Sequence, residues 1–213
     1  MYKPETISIG ENRVLRYDLN QKSVPREMIL NLITPLWQEY EKESNKEELI
    51  STISIKSGRN VDIVYDKHGL VCGFYIFRMF QFANWNVMFR GNSFSAPKIR
   101  GLGANLMKLS LKQLKPDIIA TFTPQPRAYT FLKSFGVILP SNENRPLDDE
   151  IKILSLLAGE KYIIDPDTLL IKNFYQHSHK QGGRAVNIKS VNEIFSKLGP
   201  CDAYGVIVRC NQL

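Results

Sequence analysis

Between Lys98 and Met107 the chain reads Lys-Ile-Arg-Gly-Leu-Gly-Ala-Asn-Leu-Met, two glycines among basic residues at the mouth of an apolar-periodic segment. Residues of these types at this spacing can capture an anion. Gly101 and Gly103 remove Cβ atoms where a ligand must come close, and the N–H groups of a first helical turn have no intrahelical partners. The helix dipole favours a negative charge there by about 0.3–1 kcal/mol, and Lys98 and Arg100 add full positive charges beside it. His177 and His179 stand two apart, but no third ligand accompanies them at metal-site spacing and Lys180 follows directly, so no metal is expected. Cys72, Cys201 and Cys210 are odd in number and lack ligand spacing, which predicts buried, inert thiols in a reducing compartment.

A glycine turn of this kind needs a strand before it and a helix after it. The pattern supplies both. Val87 to Phe94 reads as the returning strand of a hairpin that turns near Ala83-Asn84-Trp85-Asn86, and Pro97 ends it. Ala104 to Leu114 then reads as a helix whose apolar face includes Leu106, Met107 and Leu111. Upstream, Glu11 to Asp18 predicts a first strand, and Pro25 opens an amphipathic helix through Met28, Leu32, Leu36 and Tyr40 that Pro35 should kink or split. A short helix is expected over Glu47 to Ile55. Val61 to Tyr65 and Leu70 to Phe77 form a hairpin about the turn Asp66 to Gly69. Downstream, Asp117 to Phe122 predicts a strand, Arg127 to Phe135 a helix stopped by Gly136, and Val137 to Leu139 another strand. Residues 141–200 change character, with a polar linker, a helix from about Leu147 to Ala158, a turn at Asp165-Pro166 and a Gly182-Gly183 loop; they read as an insertion. Ala203 to Cys210 is a strand that can close the sheet.

The 213 residues, 43% of them hydrophobic, suffice for one sizeable core, and a single domain over 1–213 is expected. The apolar run from Val71 to Phe89 is interrupted by Arg78, Gln81, Asn84 and Asn86 and is too short to be a membrane span, and the first residues lack a signal-peptide layout, so a cytoplasmic protein with no membrane partner is expected. The net charge of +7 is unevenly placed: no Asp or Glu occurs between Asp66 and Asp117, while eight Lys and Arg residues do. Such a stripe suits nucleic acid, an acidic lipid surface or a multiply phosphorylated small molecule. No aromatic platform of the nucleic-acid type accompanies it, so nucleic acid is not the expected partner.

Two motifs carry a family resemblance. Lys98-x-x-Gly101-x-Gly103 is similar to the phosphate loop Q/R-x-x-G-x-G/A of the GNAT superfamily of N-acetyltransferases. Gln125-Pro126-Arg127-Ala128-Tyr129-Thr130-Phe131-Leu132-Lys133-Ser134-Phe135-Gly136-Val137 is similar to that family's N-P-R-A-x-x-x-Y-x-x-x-G-F. The alternatives fit less well: a Rossmann fingerprint needs a third glycine where Leu106 stands, and a Walker loop needs Gly-Lys-Ser/Thr. The resemblance covers about Glu11 to Leu139 and the last strand. It implies an α/β (α+β) fold, a mixed, mostly antiparallel central sheet flanked by helices, with the 141–200 insertion before the last strand.

The resemblance also implies roles. Acetyl-CoA, or another acyl-CoA, would be the co-substrate. Main-chain amides of Arg100, Gly101, Leu102, Gly103, Ala104 and Asn105 would cradle its diphosphate, with Lys98 and Arg100 as charged partners. The main chain of Ser93, Phe94 and Ser95 would pair with the pantetheine arm, and Gln125 would bond to that arm. The acyl group would pass directly to a primary amine of a small molecule or peptide in a ternary complex, on a monomer or homodimer. The family's tyrosine acid falls on Leu132, which cannot give a proton, so Tyr129, one turn earlier, becomes the candidate. The strand from Val87 to Phe94 has no carboxylate, which leaves Glu39, Glu43 and Asp62 as candidate bases. The insertion would wall the acceptor pocket. These departures keep open a second class, a non-catalytic acyl-CoA-binding regulatory module.

Overall fold

The computed structural model describes residues 2–40, 59–96, 101–175 and 186–211. The described residues fall into two compact units, one of Met1–Phe80 with Arg90–Leu114, the other of Gln81–Phe89 with Lys115–Leu213. The boundary therefore runs through strands β4 (Val71–Phe82) and β5 (Trp85–Ser95).

In the first unit, β1 (Glu5–Ile9), β2 (Asn12–Asp18), β3 (Arg59–Tyr65), β4 and the end of β5 lie in chain order. β1 to β4 pair antiparallel. β1 is an addition to the expected pattern: Gly10, at φ +59°, turns the chain from β1 into β2, and residues 5–9 are too polar to signal a strand alone. Asp66 accepts the N–H groups of His68 and Leu70 and thereby closes the β3–β4 turn, which Gly69 completes at φ +78°. Val61 to Val64 are all buried because both faces of the sheet are covered. Helix α1 (Arg26–Tyr40) sets Ile29 and Ile33 against Val61, Ile63, Phe74 and Ile76 on one face. Each such side chain contributes about 1.5–3 kcal/mol on leaving water. Contrary to a split at Pro35, α1 runs on through that residue. Helix α2 (Leu102–Leu114) takes the other face, where Tyr75 reaches Met107 and Arg16 reaches Ser110 and Gln113. The helix expected over 47–55 lies outside the described residues.

In the second unit, β9 (Ala203–Cys210) is the central strand. It pairs antiparallel with β6 (Ile118–Thr123) on one side, and with β7 (Gly136–Leu139) and β8 (Leu170–Ile171) on the other, so it is inserted between strands instead of closing an edge. Residues 203–208 are accordingly all buried. β6 also pairs in parallel with the start of β5, over Val87↔Ile118, Met88↔Ile119 and Phe89↔Ala120. Asn86 and Asp117 fix the start of that ladder by exchanging main-chain and carboxylate bonds of 2.7 and 2.8 Å.

Helix α3 (Pro126–Leu132) passes into a short 3-10 turn at Lys133–Phe135. As expected, the helical run ends at Phe135 with Gly136 as its cap. Gly136 is extended strand, and a Cβ there would stand 2.0 Å from the carbonyl oxygen of Arg209, so the glycine admits β9. Helix α4 (Asp148–Ala158) begins where Glu150 accepts the Leu147 N–H, and the same buried carboxylate takes Arg209 Nε at 2.6 Å. Helix α5 (Lys189–Phe195) follows in the same unit. Across the chain the sheet is mixed and mostly antiparallel, with helices flanking it.

Candidate functional site

Helix α2 starts as the glycine turn requires. Gly101 has φ +76° and its carbonyl accepts the Asn105 N–H at 3.0 Å, so it serves as the N-cap and the amides of Leu102, Gly103 and Ala104 precede the first intrahelical donor. Leu102 is 2% exposed and anchors the turn in the core, while Gly101, Gly103 and Asn105 face outward. Among the described residues, nothing lies within 4 Å of where a Cβ of Gly101 or Gly103 would stand. No acidic residue occupies the first turn, so no side chain of that turn neutralises the positive helix end. Lys98 and Arg100 lie outside the described residues.

The helix is held in register from below. Arg16 donates to both oxygens of Asp62 at 2.8 and 2.9 Å, to Gln113 at 2.9 Å and to Ser110 at 3.5 Å. Two residues of α2 thus hang from one guanidinium, which also lies over the Phe77 ring. Asp62, a candidate base from sequence, is fully buried and bound to Arg16; it cannot meet an amine. Burial pushes its carboxyl up, and Arg16 pulls it down. Glu43 and the side chain of Glu39 lie outside the described residues.

On β5, Arg90 donates to the hydroxyl of Ser93, and Phe94 packs on Phe74 with ring centres 6.4 Å apart. Both side chains are engaged, which leaves the strand's main chain for any ligand. The Ala96 N–H bonds to the Cys72 carbonyl at 2.8 Å.

In the second unit, Gln125 caps α3 from an exposed position. Its N–H takes the Thr123 hydroxyl at 3.1 Å and its carboxamide makes no capping bond. Tyr129 is 3% exposed, its hydroxyl donates to the Pro140 carbonyl, and its ring meets Phe195 edge-on. Burial pushes its phenol up to about 12. Leu132 is fully buried.

Residues 141–200 contribute rings that no sequence motif marks. Phe174 lies 4.6 Å from Phe122 of β6 and 4.9 Å from Tyr162, and the Tyr175 hydroxyl reaches the Phe122 carbonyl at 3.4 Å. The signal was present only as scattered aromatics, because their meeting depends on β8 docking on β9. His177 and His179 lie outside the described residues. Among the described residues no group of three or more His, Cys, Asp or Glu could hold a metal ion, and no helix is long and apolar enough to cross a membrane.

The order of antiparallel meander, glycine turn, helix, parallel strand, helix and late central strand is the one the sequence resemblance implies. The fold is GNAT-like. Among solved structures, the chain is similar to the GCN5-related glucosamine N-acetyltransferase region of a fungal multi-domain GH3 β-N-acetylglucosaminidase. That match has 14% identity and a TM-score of 0.48, and covers 71% of this chain and 21% of that one. It is also similar to GCN5 of Tetrahymena, at 15% identity and TM-score 0.45, over 62% of this chain and 82% of that one. A GNAT-family acetyltransferase of Staphylococcus aureus Mu50 matches at 13% identity and TM-score 0.44, over 63% and 89% of the two chains. No protein-family model matches the chain, and no curated protein is significantly similar to it in sequence.

Proposed function

We propose that this chain is an N-acyltransferase that moves an acetyl group, or a related acyl group, from acyl-CoA to a primary amine within a ternary complex. The observation that carries the reading is the start of α2. Among the described residues nothing fills the space where Cβ atoms of its outward-facing glycines would be, and its first turn holds no acid. A diphosphate would take the amides of Leu102, Gly103 and Ala104, with Lys98 and Arg100 as charged partners. The pantetheine arm would run along the main chain of Ser93 to Ser95, past the end of the three-pair β5–β6 ladder. Gln125, exposed and uncommitted as a cap, would bond the arm.

The chemistry needs little from the protein beyond placement. The neutral amine nitrogen forms a bond to the thioester carbonyl carbon, the C–S bond breaks with its electron pair going to sulfur, and the amine's extra proton leaves to solvent or to the thiolate. A thiol of pKa about 8.5 departs without a strong acid. Holding amine and carbonyl in contact supplies the larger share of the rate. The Tyr129 hydroxyl is engaged with the Pro140 carbonyl and takes no part in the transfer.

A second reading, acyl-CoA binding without turnover, is favoured by two facts: Leu132 is buried where the family motif has a proton donor, and Asp62 is sequestered. Thiol release from acetyl-CoA, followed against amino acids, polyamines, aminoglycosides and protein N-termini, separates the two. Amine-dependent release supports transfer; saturable acetyl-CoA binding without release across the panel supports the module.

A further inference from the structure

Arg90 lies within β5, half-buried, and its guanidinium donates to the hydroxyl of Ser93, three residues further along the same strand. On a regular strand, residues three apart stand about 10 Å from each other and point to opposite faces. A side chain that bridges that interval draws the backbone out of regular alternation, so the bond from Arg90 to Ser93 acts as a strap on β5. The chain is attached to β4 on either side of Ser93. At Gly91 a Cβ would stand 3.1 Å from the carbonyl oxygen of Ile76, and the glycine lets the two backbones close up. Further on, the Phe94 ring packs on Phe74 and the Ala96 N–H bonds to the Cys72 carbonyl at 2.8 Å. Between these attachments the strap sets the course of the main chain. Burial pushes the pKa of the Arg90 guanidinium down and the Tyr75 phenol, itself buried, pulls it back up, so the charge sits among packed side chains.

We propose that Arg90 is a positioning residue for the acyl donor: by gripping Ser93 it fixes the main chain of Ser93, Phe94 and Ser95 in the shape that receives the pantetheine arm. Arg90 acts through Ser93 and does not itself touch the donor. A hydrogen bond from a charged donor is roughly twice as strong as a neutral one, which suits it to hold an irregular course. A segment already held in its binding shape loses less freedom when the arm docks, and the saving appears as affinity. The consequence for the arm rests on the acyl-CoA reading; the strap on β5 does not.

The test compares two ligands by calorimetry, acetyl-CoA and phosphoadenosine diphosphate, which is the nucleotide half of the same molecule without the arm. Ser93→Ala removes the hydroxyl that Arg90 grips and leaves the main chain in place. It is expected to weaken acetyl-CoA binding about tenfold, with the affinity for phosphoadenosine diphosphate unchanged. Ser93→Thr, which keeps a hydroxyl, should restore most of the loss. If Ser93→Ala does not fold, Arg90→Lys, which keeps the charge and loses the planar fork, is measured in the same way and should show the same split. A merely structural role would weaken both ligands alike and lower Tm, and that result overturns the proposal. So does unchanged acetyl-CoA affinity in Ser93→Ala. Wild-type binding of acetyl-CoA no tighter than that of phosphoadenosine diphosphate overturns the role of the strap while the diphosphate site stands. Binding of neither ligand by wild type removes the acyl-CoA reading and the proposal with it.

Discussion

Arg16 on β2 and Asp62 on β3 face each other across one rung of the sheet, and the guanidinium grips both carboxylate oxygens, at 2.8 and 2.9 Å. The pair is buried, so removing one partner leaves an uncompensated charge. Asp62→Ala is expected to lower unfolding free energy by about 3–5 kcal/mol. Urea denaturation of the purified variant measures this directly. A loss below 1 kcal/mol would mean that solvent reaches the site. Because Asp62 has no path to an amine, Asp62→Asn should leave the shape of the pH–rate profile unchanged.

Gly136 and Gly103 predict opposite outcomes for the same kind of change. At Gly136 a Cβ meets the Arg209 carbonyl oxygen at 2.0 Å, which only backbone movement can relieve. Gly136→Ala should therefore lose about 1–3 kcal/mol or more. Gly103→Ala, with nothing within 4 Å, should match or exceed the wild-type melting temperature, since alanine is the better helix former.

Asp202 supplies the pH dependence. Burial alone would raise its carboxyl, but the Asn173 N–H, the Lys172 ammonium and the Gly199 N–H hold it below the ordinary carboxylate range. A carboxyl with a lowered folded pKa contributes its full stability above the unfolded value of about 3.9 and loses it as pH falls through the folded one. Stability should thus decline on acidification below about pH 4. In Asp202→Asn that part of the slope should be gone. Urea midpoints from pH 2.5 to 6 would show it, and parallel curves for wild type and variant would contradict it.

Tyr129→Phe removes only the hydroxyl bond to Pro140. The expected cost is about 1 kcal/mol of stability, with kcat reduced less than threefold. A hundredfold loss of kcat in a folded variant would assign the phenol to the reaction instead.

Most of the fold was legible because alternation and glycine punctuation are local signals. The β3–β4 turn, the turn into α2, the helix near 148–158 and the last strand all follow from them. β1 was not, since its polar residues gain strand character only by pairing with β2. Pro35 does not split α1 because Ile29 and Ile33 hold the helix in the core, and packing outweighs one missing hydrogen bond. For the site, the glycines were readable as types. The sequestration of Asp62 and the engagement of Tyr129 depend on register between strands or on a distant loop, which no spacing along the chain encodes.

The central claim is that the open first turn of α2 receives the diphosphate of acyl-CoA. Isothermal titration of acetyl-CoA into wild type and Gly103→Val tests it most directly, because the isopropyl group adds bulk at the outward-facing turn, where no described residue lies within 4 Å of the Cβ position. The account predicts saturable one-to-one binding by wild type, and at least a hundredfold weaker binding by a variant of unchanged circular dichroism. Equal affinity in the two proteins, or no binding by either, would contradict it.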